Sequence, residues 1–282
     1  MKLLITGANG FLGSRLAAWY GKQDTYDSIP VTRSELDFTH RDAVNAAFHK
    51  FRPDIVIHCG AISDTGACER NPELSHKVNV EGTAYLADAC SCYGARLIFC
   101  SSDQVYFGNG VDVPHREDES LRPPNLYGRQ KKAAEQEVMD RCDNAVCLRL
   151  SWMYASDYRE GKEHASLLRN ISEAVKAHSP MRFPIYDYRS ITDVWDAVKN
   201  MEKVFTLPSG IYNFGSPNDL CTYELIACAA RDIPAVSSLI LENAEAFAGK
   251  PRNLRMNQEK VNGYGIYFPD ALEGLRGMLL GL

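Results

Sequence analysis

Tyr127 and Lys131 stand four residues apart in the run YGRQK. Four residues is about one helical turn, so both side chains share one face of a helix. A free tyrosine loses its proton near pH ~10. A neighbouring ammonium and the positive end of a helix are expected to lower that value. Such a phenol can exchange a proton with an alcohol or ketone near neutral pH. Ser101 and Ser102 close the apolar run LIFCSS, about 25 residues upstream of Tyr127. In an open α/β sheet the carboxyl ends of the strands form the ligand crevice, and the Ser102 hydroxyl there could hold a carbonyl oxygen. Many helices carry Tyr-x-x-x-Lys by chance; the serine at a strand end makes the combination specific.

A second constellation lies at the start of the chain, MKLLITGANGFLGSRL. Gly7, Gly10 and Gly13 form a G-x-x-G-x-x-G array between an apolar run and a helical pattern. Glycine lets the chain turn sharply and lets a diphosphate approach the backbone, while the free N–H groups of Asn9, Gly10, Phe11 and Leu12 point at the anion from the helix N-terminus. The apolar stretch before the array is too short for a secretion signal. Dinucleotide sites of the NAD type often place Asp or Glu after the second strand, on the ribose. Here that point reads Thr32-Arg33-Ser34. An arginine suits a 2′-phosphate through charge-assisted bonds, so NADP(H) is favoured over NAD(H).

The elements that must position these groups follow from periodicity. KLLIT, SIPVT, PDIVIHCGA, RLIFCSS and AVCLRLS read as strands. Between them run helices: FLGSRLAAWYG with Leu12, Leu16 and Tyr20 on one face, RDAVNAAFHKF with Ala43, Ala46, Ala47 and Phe48 inward, one long helix over 73–94, and another over 127–142. A long loop covers 103 to about 125. Strands alternating with helices of this length give βαβ units, a parallel sheet and helices on both faces. Beyond Ser151 the rhythm loosens. HASLLRNISEAVKAH, ITDVWDAVKNMEKVF and CTYELIACAARDI are expected helical and GIYNFGS a short strand. The division expected is residues 1–150 plus about 190–213 as the dinucleotide domain, with about 151–189 plus 214–282 as a smaller, mixed substrate lobe.

Composition narrows the partners. The 282 residues are 45% hydrophobic and 24% charged, with a net charge of −5. That balance argues against nucleic acid or an anionic membrane as the main partner. No run approaches a membrane span, and a cytoplasmic protein is expected. Nine cysteines, irregularly spaced and without C-x-x-C, read as reduced, mostly buried thiols. No His-x-x-x-His pair or other metal motif is visible, and no metal is assigned.

Together TGANGFLG, PDIVIHCGA, KVNVEGT, SSDQVY and YGRQK resemble an extended short-chain dehydrogenase/reductase. SSDQVYFGNG, LRLSWMY and KPRNLRM are similar to the dTDP-4-dehydrorhamnose reductase branch. The resemblance covers essentially the whole chain and implies an α/β fold: a Rossmann doubly wound parallel sheet with a smaller mixed C-terminal substrate lobe. It implies a nicotinamide cofactor and a nucleotide-sugar substrate, and a homodimer is common in that family. By resemblance Ser102 orients the keto oxygen, Tyr127 protonates it, and Lys131 tunes Tyr127 and holds the nicotinamide ribose. Asp37 and Phe38 would approach the adenine, Gly60 and Ala61 would line the cofactor, and Asn79 would stand behind the active-site strand. Ser63, Asp103, Trp152 and Arg252 would border the substrate. Local roles compete: Trp152 as core, Asp37 as a cap near Thr39, Asn79 as a partner for buried backbone. The chain departs from the family at Ser102, more often Thr, at Cys59, more often a small residue, and at Ile62, more often aromatic. Its loop 63–71, SDTGACERN, is also unusual.

The expected activity is therefore reduction of a nucleotide-linked keto sugar with NAD(P)H. A dehydratase of this fold needs an acid where Gln104 stands, which discounts elimination. A nucleotide-sugar epimerase with tightly held NAD and a non-catalytic NADP-binding regulatory subunit are the alternatives.

Overall fold

A computed structural model describes residues 1–155, 157 and 167–281. The chain divides into two compact units. The first comprises Met1–Val105, Leu121–Leu150 and Val198–Tyr212; the second comprises Tyr106–Ser120, Ser151–Ala197 and Asn213–Leu282.

The first unit is built on β1 (Lys2–Thr6), α1 (Phe11–Tyr20), β2 (Asp27–Val31), α2 (Arg41–Phe51), β3 (Ile55–His58), α3 (Thr65–Arg70), α4 (Pro72–His76), α5 (Gly82–Tyr93), β4 (Arg96–Ser102), α6 (Leu126–Arg141) and β5 (Ala145–Leu150). A six-stranded sheet runs in the order 210–214, β5, β4, β3, β1, β2, and β1 to β5 pair in parallel. Leu3, Leu4, Ile5, Val56, Ile57, Leu97 and Ile98 are wholly buried, as strands covered on both faces require. Pro30 sits in the edge strand β2, where a missing N–H costs no ladder bond. The strand order reverses at β1 and β3, so the crevice for a ligand opens at their carboxyl ends.

Three expectations need correction. The helix over 73–94 is not continuous: α4 ends at His76, and Lys77–Glu81 forms a wider π-type turn before α5. On α2 the inward set is Val44, Ala47 and Phe48, with Ala46 exposed. The i, i+3, i+4 spacing from Val44 outweighs the alanines, which add little apolar area. Finally, residues 191–193 form a strand rather than the start of a helix, which occupies Val194–Val204.

In the second unit three pairs of short strands run parallel: Trp152–Tyr154 with Ile191–Asp193, Met181–Pro184 with Ile240–Asn243, and Asp187–Arg189 with Arg252–Leu254. Its core gathers Tyr154, Leu168, Ile171, Leu225, Ile226 and Leu275. The helix expected over 164–178 is seen as Leu167–Ala177; its first residues lie outside those described. Among the described residues no helix is long and apolar enough to cross a membrane, and none form a metal-ligating group of three or more His, Cys, Asp or Glu.

Candidate active site

The turn after β1 is shaped by its glycines. Gly7 has φ +68, and a Cβ there would lie 2.8 Å from the Gly60 nitrogen. A Cβ on Gly13 would lie 2.3 Å from the Gly7 carbonyl oxygen. The turn after β1 and the chain leaving β3 therefore meet backbone to backbone at the switch point. Helix α1 starts from Gly10 with no side-chain cap, so the first amides of the helix remain open to an anion, but the Gly10 amide, expected free, donates to the Gly7 carbonyl at 2.9 Å. Arg15, wholly buried, donates to the Phe11 carbonyl at 2.8 Å and stacks on the Phe11 ring; the sequence held no signal for a buried arginine there.

Asn9, Thr32, Arg33, Ser34 and Asp37 line one open groove of about 710 Å³. The loop after β2 is held by carboxylates. Glu35 accepts from the Thr32 amide and hydroxyl at 2.8 and 2.9 Å. Asp37 accepts from the Thr39 hydroxyl and amide at 2.6 and 3.1 Å, and those bonds, with Arg33 nearby, hold its carboxyl below the usual range. The Arg33 side chain is 69% exposed and lies 3.5 Å from Asp37. Asp37 therefore both caps the turn and lines the groove.

Phe38 is buried rather than open to the groove. Its ring fills the space that a Cβ on either Gly60 or Gly82 would need, at 2.5 and 2.6 Å, and meets His58 edge-on. Ala61 follows Gly60 and is half-buried. Asn79, on the π-type turn, is buried. Its Oδ1 accepts from the Ile62 amide at 2.8 Å, and its Nδ2 donates to the Ile62 carbonyl at 3.0 Å and to Gln130 at 2.9 Å. It thus ties the chain beyond β3 to α6. Ser63 is exposed at the entry to α3.

Ser102, Asp103, Tyr127 and Lys131 come together at the carboxyl end of β4 and the start of α6. Asn125 caps α6 by accepting from the Gly128 amide at 3.0 Å, and Glu69 accepts from the Leu126 amide at 2.7 Å. The Ser102 hydroxyl donates to Asp103 at 3.2 Å and accepts from the Gln104 amide at 3.2 Å. Tyr127, 7% exposed, stands at the same strand end as Ser102. Burial and the Asp103 carboxylate raise the phenol above its ordinary value, against the lowering effect of the nearby Ser102 hydroxyl. That corrects the lowered value expected from the sequence: desolvation wins. Lys131 is 2% exposed; its Nζ donates to the Cys100 carbonyl at 2.8 Å and lies 5.8 Å from the Tyr127 ring centroid. Burial brings its ammonium down to about 8.

Two buried networks behind the site escaped the sequence reading. Arg149 on β5 grips Glu135 on α6 at 2.8 and 3.0 Å, and Glu135 also accepts from Ser101 at 2.6 Å. His58 on β3 lies between Thr6, 2.7 Å from Nδ1, and Thr83, 3.1 Å from Nε2. The Thr83 hydroxyl gives its one proton to the Asn79 carbonyl at 2.9 Å. It therefore accepts from Nε2–H, and Nδ1 accepts from Thr6. The imidazole is neutral, its value pushed down to about 3 by burial and by Lys131.

Trp152 and Arg252 belong to the second unit. Trp152 is half-buried against that unit's core, with the Arg189 guanidinium 4.6 Å from its ring. Arg252 takes both oxygens of the buried Asp187 at 2.8 and 3.0 Å and lies over Phe247.

A doubly wound parallel sheet, a glycine turn into α1 and a Ser–Tyr–Lys group at the end of β4 define a Rossmann fold of the extended short-chain dehydrogenase/reductase class. Comparison with known proteins narrows it. The model of the RmlD substrate binding domain matches residues 1–279, and the chain belongs to that family. It is 33% identical over 174 residues to a dTDP-4-dehydrorhamnose reductase of Mycobacterium tuberculosis, a match covering 61% of this chain and 56% of that protein. It is 29% identical over 283 residues to methionine adenosyltransferase 2 subunit beta of Xenopus laevis, covering 94% of this chain and 83% of that one. The crystal structure of dTDP-4-dehydrorhamnose reductase from Bacillus anthracis in complex with NADP superposes with a TM-score of 0.84 at 24% identity, covering 100% of this chain and 99% of that one.

Proposed function

We propose that this chain is an NADP(H)-dependent reductase of a nucleotide-linked keto sugar, of the dTDP-4-dehydrorhamnose reductase kind. The observation that carries the reading is the buried Tyr127 phenol, held protonated by burial and Asp103 and grouped with Ser102 and Lys131 at the end of β4. A nicotinamide cofactor, when bound, supplies the hydride. This chain's residues do the rest. The Ser102 hydroxyl orients the ketone oxygen. Tyr127 gives its proton to that oxygen as it gains charge. The Lys131 ammonium, anchored on the Cys100 carbonyl, stabilises the phenolate left behind.

The residues present fit such a cofactor. The uncapped start of α1 offers amides to a diphosphate, with Gly7, Gly10 and Gly13 allowing close approach. Arg33, with the Ser34 hydroxyl and Asn9, offers a cradle for a 2′-phosphate in the groove that also carries Thr32 and Asp37. Gly60 and Ala61 would line its course past β3, while Phe38 and Asn79 hold that backbone in place. In this reading the first unit holds the cofactor, and Ser63 and Asp103 are its substrate-side residues; Trp152 and Arg252 are those of the second unit. The kinship with the reductase of Mycobacterium tuberculosis favours a dTDP-linked sugar.

The test is turnover of a dTDP-linked 4-keto-6-deoxy sugar with NADPH and with NADH, beside thermal shift. A cofactor at 100 times its Kd adds about 2.7 kcal/mol of stability. NADPH stabilisation with turnover is expected; turnover with neither cofactor rejects the reading. One second reading has a specific observation behind it. The likeness to methionine adenosyltransferase 2 subunit beta over 94% of the chain fits a dinucleotide-binding regulatory subunit. That role predicts NADPH binding without turnover, together with a heterologous enzyme partner.

A further inference from the structure

Cys59 and Cys100 stand where β3 and β4 end beside the proposed cofactor crevice. His58 pairs with Phe99 in parallel register, so the two cysteines occupy the next rung, and their sulfurs lie 3.6 Å apart. Adjacent strands are spaced about 4.8 Å apart, inside the ~4.4–6.8 Å Cα separation that a disulfide spans. Cys59 is half-buried and Cys100 buried. Both flank residues of the site: Cys59 precedes Gly60, and the Cys100 carbonyl anchors Lys131.

We propose that Cys59 and Cys100 form a reversible dithiol–disulfide pair, closed by a hydroperoxide, that governs cofactor binding at the crevice beside them. The Cys59 thiolate, the more accessible, attacks the peroxide oxygen; the O–O bond breaks, an alcohol or water leaves, and Cys59 becomes a sulfenic acid. The Cys100 sulfur then attacks the Cys59 sulfur, forming the S–S bond and expelling hydroxide, which leaves as water with the Cys100 proton. The two thiols lose two electrons and two protons, and the peroxide gains them. A small dithiol reverses the step by exchange. The Lys131 ammonium draws the Cys59 value down, while burial and the neighbouring thiol push it well up, so the pair rests reduced and closes slowly. Closing the sulfurs from 3.6 Å to a bond of about 2.04 Å turns both cysteine side chains about their Cα–Cβ bonds, next to Gly60 and to the carbonyl that holds Lys131.

The crosslink stands on geometry alone; its effect on the site rests on the proposed function. The full chain is treated with hydrogen peroxide, blocked with an alkylating agent and digested without reduction. The expected result is a fragment linking residues 59 and 100, short of two hydrogens and split by dithiothreitol. It should be absent in Cys59→Ser and Cys100→Ser and retained in Cys92→Ser, whose thiol is exposed elsewhere. NADPH titrated onto the oxidised chain should bind on the order of tenfold more weakly, with affinity restored by the dithiol. Oxidation confined to other cysteines, Cys59 or Cys100 linked elsewhere, or a 59–100 link with unchanged NADPH affinity would each overturn the proposal. An untreated chain that binds no NADPH counts against the reductase reading instead, and the fragment map still decides the pair.

Discussion

Replacing Glu135 by leucine should damage the first unit more than its distance from solvent suggests. Arg149 and Glu135 are each 3% exposed at the side chain and meet through three charged hydrogen bonds, while Glu135 also takes the Ser101 hydroxyl. Glu135→Leu removes the carboxylate that pairs with the buried Arg149 guanidinium beneath β5, which costs about 3–5 kcal/mol. Arg149→Met strands the carboxylate and costs a similar amount. The pair Glu135→Leu/Arg149→Met removes both charges, and its stability should return to within about 1–2 kcal/mol of the parent, because a well-packed apolar pair often replaces a buried ion pair at no loss. The remaining deficit reflects Ser101, whose hydrogen bond to a charged group is worth about 1.5–3 kcal/mol and has lost its acceptor. Urea unfolding of the four proteins, with the coupling taken from the cycle, measures this. The Glu135 carboxylate also supports the Lys131 ammonium, so the double variant should bring that ammonium lower still. Single variants as stable as the parent, or a double variant no better than the worse single, would refute the reasoning.

Tyr127→Phe removes the phenol proton and should lower kcat about 10²–10⁴-fold with NADPH affinity kept; retained kcat would reject the acid assignment. Lys131 in the free protein loses its charge through about 8, so kcat/KM should fall as pH rises through that value, and Lys131→Arg, whose guanidinium stays charged, should flatten the limb. His58 is held near 3, below its ordinary 6.5; between those values the unfolded chain binds the extra proton, so stability is present above about 6.5 and declines on acidification by up to ~1.4 kcal/mol per pH unit. Urea midpoints of the parent and His58→Gln at pH 7 and pH 5 measure that slope, which the variant should lack. Gly13→Ala places a Cβ 2.3 Å from the Gly7 carbonyl and should cost about 1–3 kcal/mol; an unchanged NADPH affinity by calorimetry would mean the turn is not the cofactor's seat.

The sheet and the first-unit site were readable because their signals are local. Apolar runs punctuated by glycine and proline mark β1 to β5, and Tyr127, Lys131 and Ser102 announce themselves by spacing. What escaped depends on partners far along the chain. Ile191–Asp193 becomes a strand only because Trp152–Tyr154 lies beside it, and within a helical pattern three β-branched or polar residues give no warning. The π-type turn at Lys77–Glu81 serves Asn79, whose side chain is drawn to the Ile62 backbone, a contact no periodicity encodes. Arg149 read as one charge inside an apolar strand; its carboxylate partner, Glu135, sits on the preceding helix α6. The phenol's upward shift was hidden for the same reason, since burial and the Asp103 field belong to the folded surroundings rather than to the motif.

Phe38 carries a consequence for anyone wishing to redesign the packing between β3 and α5. Its ring is slotted between two glycines on different elements, Gly60 after β3 and Gly82 opening α5. The three positions therefore behave as one lock: a methyl on either glycine evicts the ring, and a smaller residue at 38 leaves both backbones bridging a hollow. Single substitutions at the exposed Arg33 leave that lock alone, whereas remodelling the packing around Phe38 demands concerted exchange of all three.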